Sequence, residues 1–175
     1  EIFISSKKYQ IKLYLLMIDF TNIEYLKTGN PRQIQAYEIL TQNKILEMLL
    51  EFDPILVGTI PINIDIENSD LDIICCWKNK TEFIDKITSA FKDKPDFKIW
   101  ETTIDKKESV AANFKINTLE IEIFGQNVPT QNQNGYRHMI IEHKILKSKD
   151  ENFRLEIIKL KQNGYKTEPA FGKLL

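Results

Sequence analysis

Two short segments constrain this chain more than any others: Leu56-Val57-Gly58-Thr59 and, eleven positions beyond Thr59, Asp70-Leu71-Asp72-Ile73-Ile74. The first is an apolar strand end that runs into a glycine–hydroxyl turn. The second alternates carboxylates with aliphatics. In an extended segment successive side chains point to opposite faces, so Asp70 and Asp72 share a face with Cα atoms roughly 6.5–7 Å apart. Leu71 and Ile73 then face a core on the other side. Two acids on a rigid strand beside a glycine turn can hold a divalent metal against a phosphate.

At 175 residues the chain has room for one ordinary domain with its own core. Its composition, 42% hydrophobic and 28% charged, is that expected of a soluble globular protein. With 24 basic and 25 acidic residues, a strongly basic surface for duplex nucleic acid is not indicated. Cys75 and Cys76 are adjacent in an apolar run. They exclude a disulfide framework, read as small buried apolar groups, and point to a reducing, cytoplasmic location. Ahead of them, Lys7 to Asp19 sets two lysines before an apolar stretch in the manner of a secretion signal. Lys12 interrupts that stretch, and no small-residue cleavage site follows. We therefore read residues 1–16 as a non-native N-terminal extension ahead of a start at Met17, and 17–175 as a single domain. No segment approaches the roughly 20 apolar residues of a membrane helix, so no membrane partner is expected. The chain stops at Leu175 within an apolar segment, which leaves room for a further C-terminal element.

Asn30-Pro31 is a capping residue followed by proline at the first helical position, and the apolar spacing predicts a helix from there to Leu50. Phe52-Asp53-Pro54 stops it. Ile55 to Gly58 and Leu71 to Trp77 read as buried strands, Lys78 to Lys80 as a solvated turn, and Thr81 to Lys92 as an amphipathic helix. Three more strands follow at Phe97 to Glu101, Val110 to Ile116 and Leu119 to Phe124. Asn117-Thr118 links the last two as an antiparallel pair. Thr130 and Gln133 match a capping box for a helix running to about Lys147, with Gly135 arguing for a later start. Asp150 caps a further helix ending at Gly164, and Thr167-Glu168-Pro169 opens a last helical turn. The pattern is an α/β (α+β) domain: a mixed sheet flanked by helices, with a helical C-terminal third.

A two-metal phosphoryl-transfer site needs clustered carboxylates, backbone N–H groups close to phosphate oxygens, and a third acid from a neighbouring strand. Gly58-Thr59 and Asp70/Asp72 meet the first two needs. For the third, Leu119-Glu120-Ile121-Glu122-Ile123 is another alternating strand with both glutamates on one face. Of the two, Glu122 lies deeper in the apolar run and is preferred to Glu120.

These residues resemble the DNA polymerase beta-like nucleotidyltransferase superfamily: strand, Gly-Ser/Thr turn, Asp-x-Asp on a strand, then an acid on a later strand. More closely, Gly58 to Ile62, Ser69 to Cys75, Glu120 to Gln126, Tyr136 to Met139 and Lys166 to Phe171 resemble an uncharacterised bacterial branch known as domain of unknown function 4269. The resemblance covers most of the chain from Met17 onward. It implies a nucleotidyltransferase fold, Mg²⁺ (or Mn²⁺) as cofactor, and transfer of a nucleoside monophosphate from a nucleoside triphosphate to an acceptor hydroxyl. On this reading Asp70, Asp72 and Glu122 are the catalytic, metal-holding residues, with Glu120 the alternative third acid. Gly58, Thr59, Ser69 and Arg137 are the substrate-binding candidates. In the superfamily the Gly-Ser turn leads into a helix facing the triphosphate. Here the alternation and Pro61 of Ile60 to Ile66 argue against one, and Asp65 reads as a solvated loop residue.

Arg137 suits bidentate contact with a triphosphate, and an ordinary surface ion pair is its competing reading. His138 can accept a proton from an attacking hydroxyl, although a structural histidine is the plainer reading. His143 reads as a plain helix residue, and Trp77 and Trp100 as core or rim packing. A near-neutral charge disfavours a long nucleic acid as acceptor. The rival to an enzyme is a non-catalytic nucleotide- or partner-binding module on the same fold. A metal-dependent phosphodiesterase is a third reading.

Overall fold

The computed structural model describes residues 18–175; the extension at 1–16 and the start at Met17 lie outside the described residues. Five strands form one mixed sheet: β1 (Ile55–Val57), β2 (Leu71–Cys76), β3 (Lys98–Ile104), β4 (Lys107–Ile116) and β5 (Leu119–Gln126). They lie in the order β1-β2-β5-β4-β3. Only the central pair, β2 and β5, is parallel; the other pairs are antiparallel.

Helices cover both faces. On one side, α1 (Pro31–Gln42) contributes Ala36, Ile39 and Leu40, and α2 (Lys80–Phe91) contributes Phe83, Ile87 and Phe91. Leu71, Ile73, Ile121 and Ile123 meet them from the sheet. Phe91 stacks on Phe114 with ring centroids 4.6 Å apart. On the other side, α3 (Asn134–Ser148), α4 (Glu151–Gln162) and α5 (Thr167–Leu174) pack Met139, Ile157, Ala170 and Phe171 against Val57 and Ile74. Each fully buried Leu, Ile, Phe or Met side chain here contributes about 1.5–3 kcal/mol of transfer free energy. Both faces of the sheet are therefore committed, and polar groups survive only where the second layer opens.

Helix starts follow the expected chemistry in part. Asn30 accepts from the Gln33 N–H and Gln33 reciprocates, a full capping box at α1. That helix ends at Gln42, earlier than expected. Lys44 at φ 53° breaks the chain into a separate turn, Ile45–Met48. Asp150 accepts from the Phe153 N–H, and Gly164 (φ 91°) follows the end of α4. Thr130 does not cap α3. It lies in a 3₁₀ turn, Thr130–Asn132, and its hydroxyl donates to Asp53 Oδ2 at 2.6 Å, tying that turn to the segment before β1. Gln133, the supposed partner, is buried and donates instead to the carbonyls of Cys75 (2.8 Å) and Val128 (2.9 Å).

Strands β3 and β4 run longer than the apolar pattern suggests. They join in a tight turn whose two residues, Asp105 and Lys106, both have positive φ. Two such residues give the twist that matches a hairpin. Lys80 is no solvated turn residue: it pairs with Glu101 (2.6 Å) and Glu108 (3.0 Å) on this hairpin. Cys75 is buried, Cys76 is half-buried, and both are free. No helix among the described residues is long and apolar enough to cross a membrane.

Candidate active site

The parallel pairing of β2 with β5 sets Asp72 directly beside Glu122. Neighbouring strands lie about 4.8 Å apart, and both side chains leave the sheet on the face covered by α3–α5. Burial pushes the Asp72 carboxyl up to about 7, and the charges of Asp70 and Glu122 add to the rise against a pull from Lys161. Glu122 is raised in the same way, first by burial and then by Asp70 and Glu120. Asp72 on β2, Glu122 on β5 and Asp70, just before β2, thus act on one another and are short of positive charge.

Among the described residues, no three or more His, Cys, Asp or Glu side chains converge closely enough to hold a metal ion as they stand. Like charges in a half-buried site repel most at short range, so these carboxylates have no reason to close without a cation between them. The donor chemistry fits a hard divalent ion: oxygen donors, with Asp72 and Glu122 on adjacent strands and under-compensated by positive charge.

Gly58 follows β1 with φ 88°, a left-handed conformation that glycine adopts without strain. A Cβ there would run into Asp72 Oδ2, so the bare backbone is also what lets that carboxylate lie against the turn. Beyond Gly58 the chain forms turns, as its proline and alternation suggest. Ile60 is buried on one face of the sheet, and Ile62 and Ile64 on the other. Turn hydrogen bonds from the Asn63, Ile64 and Ser69 N–H groups and side chains from elsewhere, not a helical ladder, satisfy its carbonyls. Gln33 donates to Ile60 and Pro61, Arg32 to Glu67 and Ser69, Arg154 to Asn63, and Lys161 to Ile64 at 2.7 Å. The Thr59 hydroxyl donates to Ser69 Oγ at 3.3 Å, and Ser69 Oγ accepts from the Ile66 N–H. Asp65 is half-buried, contrary to its reading as a solvated residue. Burial raises its carboxyl against the charges of Arg32, Lys161 and Arg154.

A cavity of about 320 Å³ opens over the two strands. Asp72, Glu122 and Phe124 form its floor, with Gly58 and Thr59 at one side. His138, Met139 and Glu142 of α3 form a wall with Thr167 and Glu168 of α5, and the β3–β4 turn reaches in with Ile104, Asp105 and Lys107. Asn134 donates to Asp105 Oδ2 at 2.8 Å and fastens that turn to α3. His138 Nδ1 lies 3.0 Å from Glu168 Oε1, leaving Nε2 unengaged by that pair.

Of the residues singled out in the sequence, Gly58, Thr59, Asp72, Glu122 and His138 line this cavity, and Asp70 acts on its acids from just before β2. Ser69, Glu120 and Arg137 do not line it. Ser69 braces the loop. Glu120 is exposed, accepts from Asn113 Nδ2 at 3.1 Å, and stands beside Lys115 on β4. Arg137 is exposed, one position from His138 and so on another face of α3. His143 is half-buried with its ring edge-on to Phe20. Trp77 is buried, and Trp100 is exposed on β3.

Sequence reading missed two charged groups behind the site. Glu142 is buried on α3, where burial and Glu168 push its carboxyl up to about 7 against His138 and Lys161. Lys161 is buried on α4, its ammonium facing Asp65, Glu142, Asp72 and Asp70 while burial lowers its affinity for the proton. The available signal was positional. Glu142 follows Met139 by three residues and Lys161 follows Ile157 by four, so each charge sits on a buried helical stripe.

A family model described as "Domain of unknown function (DUF4269)" matches residues 38–175. No curated protein sequence matches. Among solved structures, 37 chains match. The Cid1 poly(U) polymerase with MgGTP bound superimposes with a TM-score of 0.55 at 9% identity, covering 76% of this chain and 42% of that one. The structure of the GLD-2/RNP-8 complex gives 0.53 at 14% identity, covering 77% and 53%. A cytoplasmic RNA terminal U-transferase gives 0.51 at 9%, covering 76% and 39%. This chain therefore spans about half or less of the solved chains it matches. It has the polymerase beta-like nucleotidyltransferase fold.

Proposed function

This chain belongs to the DUF4269 family, and from that premise we propose that it is a metal-dependent nucleotidyltransferase, moving a nucleoside monophosphate from a nucleoside triphosphate to an acceptor hydroxyl. The observation that carries the reading is the register of Asp72 beside Glu122 at the Gly58 turn, with Asp70 coupled to both. Asp70, Asp72 and Glu122 would hold Mg²⁺ or Mn²⁺, which when bound offsets phosphate charge and lowers the pKa of an acceptor hydroxyl.

The chain's own residues supply position. The bare backbone of Gly58, at the side of the cavity, lets phosphate oxygens approach, and the Thr59 hydroxyl can turn from Ser69 to donate to one of them. The walls from α3, α5 and the β3–β4 turn keep acceptor and nucleotide together and restrict water. The acceptor oxygen attacks the α-phosphorus in line, the bond to the β-phosphate oxygen breaks, and pyrophosphate leaves. Arg137, exposed and off the cavity, has no part in this scheme. The solved relatives include a poly(U) polymerase, but five carboxylates line this cavity and the chain's net charge is -1. Both speak against a long nucleic acid as acceptor. Free cysteines accord with a reducing, cytoplasmic setting.

The turns that follow Gly58-Thr59, in place of a helix aimed at phosphate, favour a second reading: a non-catalytic nucleotide- or partner-binding module. Thermal melting with Mg²⁺ or Mn²⁺ plus each nucleoside triphosphate tests the nucleotide site. The wild type should show a metal-dependent rise that grows with triphosphate concentration by mass action and is lost in Asp70→Asn/Asp72→Asn. Pyrophosphate release then separates enzyme from module. No rise with any triphosphate would remove nucleotide binding from both readings.

A further inference from the structure

In the proposed transfer the acceptor hydroxyl gives up a proton while Asp72 and Glu122 are engaged by the cation, so neither acid is free to take it. Two segments singled out in the sequence, 136–139 and 166–171, meet in the wall of the same cavity. His138 of α3 sets its Nδ1 3.0 Å from Glu168 Oε1 of α5, and both side chains line the space floored by Asp72 and Glu122.

This pairing fixes the roles of the two ring nitrogens. Glu168 stands in the first turn of α5, where its own backbone N–H and then His138 hold its carboxyl below the ordinary range. An ionised carboxylate only accepts, so Nδ1 donates, and the lone pair of the neutral ring lies on Nε2. The two partners come from different helices, so tertiary packing orients the ring. The His138 side chain is 49% exposed, the access that a proton acceptor needs. His143, packed edge-on against Phe20, lacks it. The charged groups about the His138 ring are Glu168 from α5 and Glu142 from one turn along α3, with Asp105 and Lys107 of the β3–β4 turn in the same cavity. Lys166 bears on Glu168.

We propose that His138 is the proton acceptor of the transfer reaction and that Glu168 is its positioning residue. The assignment rests on the transferase reading. The acceptor oxygen bonds to the α-phosphorus, the bond from phosphorus to the β-phosphate oxygen breaks, and pyrophosphate takes the electron pair. The hydroxyl proton passes to Nε2, directly or through one water, and Glu168 holds the imidazolium by its Nδ1–H until the proton is lost to solvent.

Pyrophosphate release by the full chain, with Mn²⁺, each nucleoside triphosphate and glycerol as acceptor, provides the assay. His138→Ala should lower kcat about 100-fold or more with KM little changed. Imidazole in the buffer should restore the rate. Across substituted imidazoles the restored rate should track the basicity of the free nitrogen, which mere filling of a gap would not produce. The wild-type rate should rise with pH at the midpoint where proton NMR shows the His138 ring titrating, and His138→Ala should lose that rise. Glu168→Gln should lower kcat less and move the midpoint down, because a neutral amide replaces the carboxylate beside Nδ1. Glu156→Gln, exposed on α4, should change neither. An unchanged kcat in His138→Ala, or a loss that no imidazole restores, overturns the proposal and leaves the transferase reading standing. So does a pH rise that survives in His138→Ala and disappears in Glu142→Gln, which would assign the proton to Glu142. No release with any triphosphate fails the transferase reading, and this assignment with it.

Discussion

Replacing Asp72 by Asn should stabilise the metal-free protein while removing metal binding. The Asp72 carboxyl titrates near 7 in the native state against an ordinary value of 3.8. Between those values the native protein holds a proton that the unfolded chain has released, so stability falls as pH rises through the interval. The difference is about 3 pKa units, or about 4 kcal/mol at about 1.4 kcal/mol per unit, once the pH exceeds 7. Residual solvent screening makes this a ceiling, and roughly 2–4 kcal/mol is expected at pH 8. Asn keeps the shape without the charge, so Asp72→Asn should recover that amount. For a domain of this size the gain is roughly 5–15 °C in Tm. At pH 5 the gap should shrink to below about 2 kcal/mol, and near pH 4 it should vanish. Urea denaturation of both proteins at the two higher pH values, without divalent ions, measures it. A variant less stable than wild type at pH 8, or a gain of equal size at pH 5, would refute the charge-cluster reasoning.

Two other substitutions probe the same architecture. Gly58→Ala forces a left-handed φ of 88° on a residue with a Cβ and pushes that Cβ into Asp72. It should cost about 1–3 kcal/mol in chemical denaturation and weaken Mn²⁺ binding. Lys161→Met leaves the Ile64 carbonyl without its donor and the facing acids without a counter-charge. It should destabilise by about 1–3 kcal/mol, with a larger loss at pH 8 than at pH 5, because the Asp72 and Glu142 carboxyls, pushed up to about 7, are ionised only at the higher pH. Equal losses at both would show that only the hydrogen bond matters.

The acid-bearing strands were legible because alternation with period two leaves few alternatives. Once Leu71/Ile73 and Ile121/Ile123 face one core, Asp72 and Glu122 must face away from it. Their adjacency was a weaker inference, settled by the parallel β2–β5 register. The loop after Gly58 was legible as non-helical from Pro61. Its form was not, because several of its carbonyls are satisfied by Gln33, Arg32, Arg154 and Lys161, up to 97 positions away. Thr130 and Gln133 misled for a related reason. Their spacing matches a local cap, but Asp53 and the Cys75 carbonyl offered partners from the sheet. The β3–β4 turn escaped notice because Asp105-Lys106 adopts positive φ without a glycine to announce it. Local patterns thus gave the elements, while the cavity's walls depend on tertiary partners that no local pattern encodes.

The proposed chemistry requires β2 and β5 to supply one cation site. Calorimetric titration of Mn²⁺ into the wild type, Asp72→Asn, Glu122→Gln and Glu120→Gln addresses this most directly. Saturable binding should be weakened about tenfold or more in Asp72→Asn and Glu122→Gln, and retained in Glu120→Gln, whose carboxylate is exposed and engaged with Asn113. Wild-type affinity in the first two variants would contradict it, as would loss confined to Glu120→Gln.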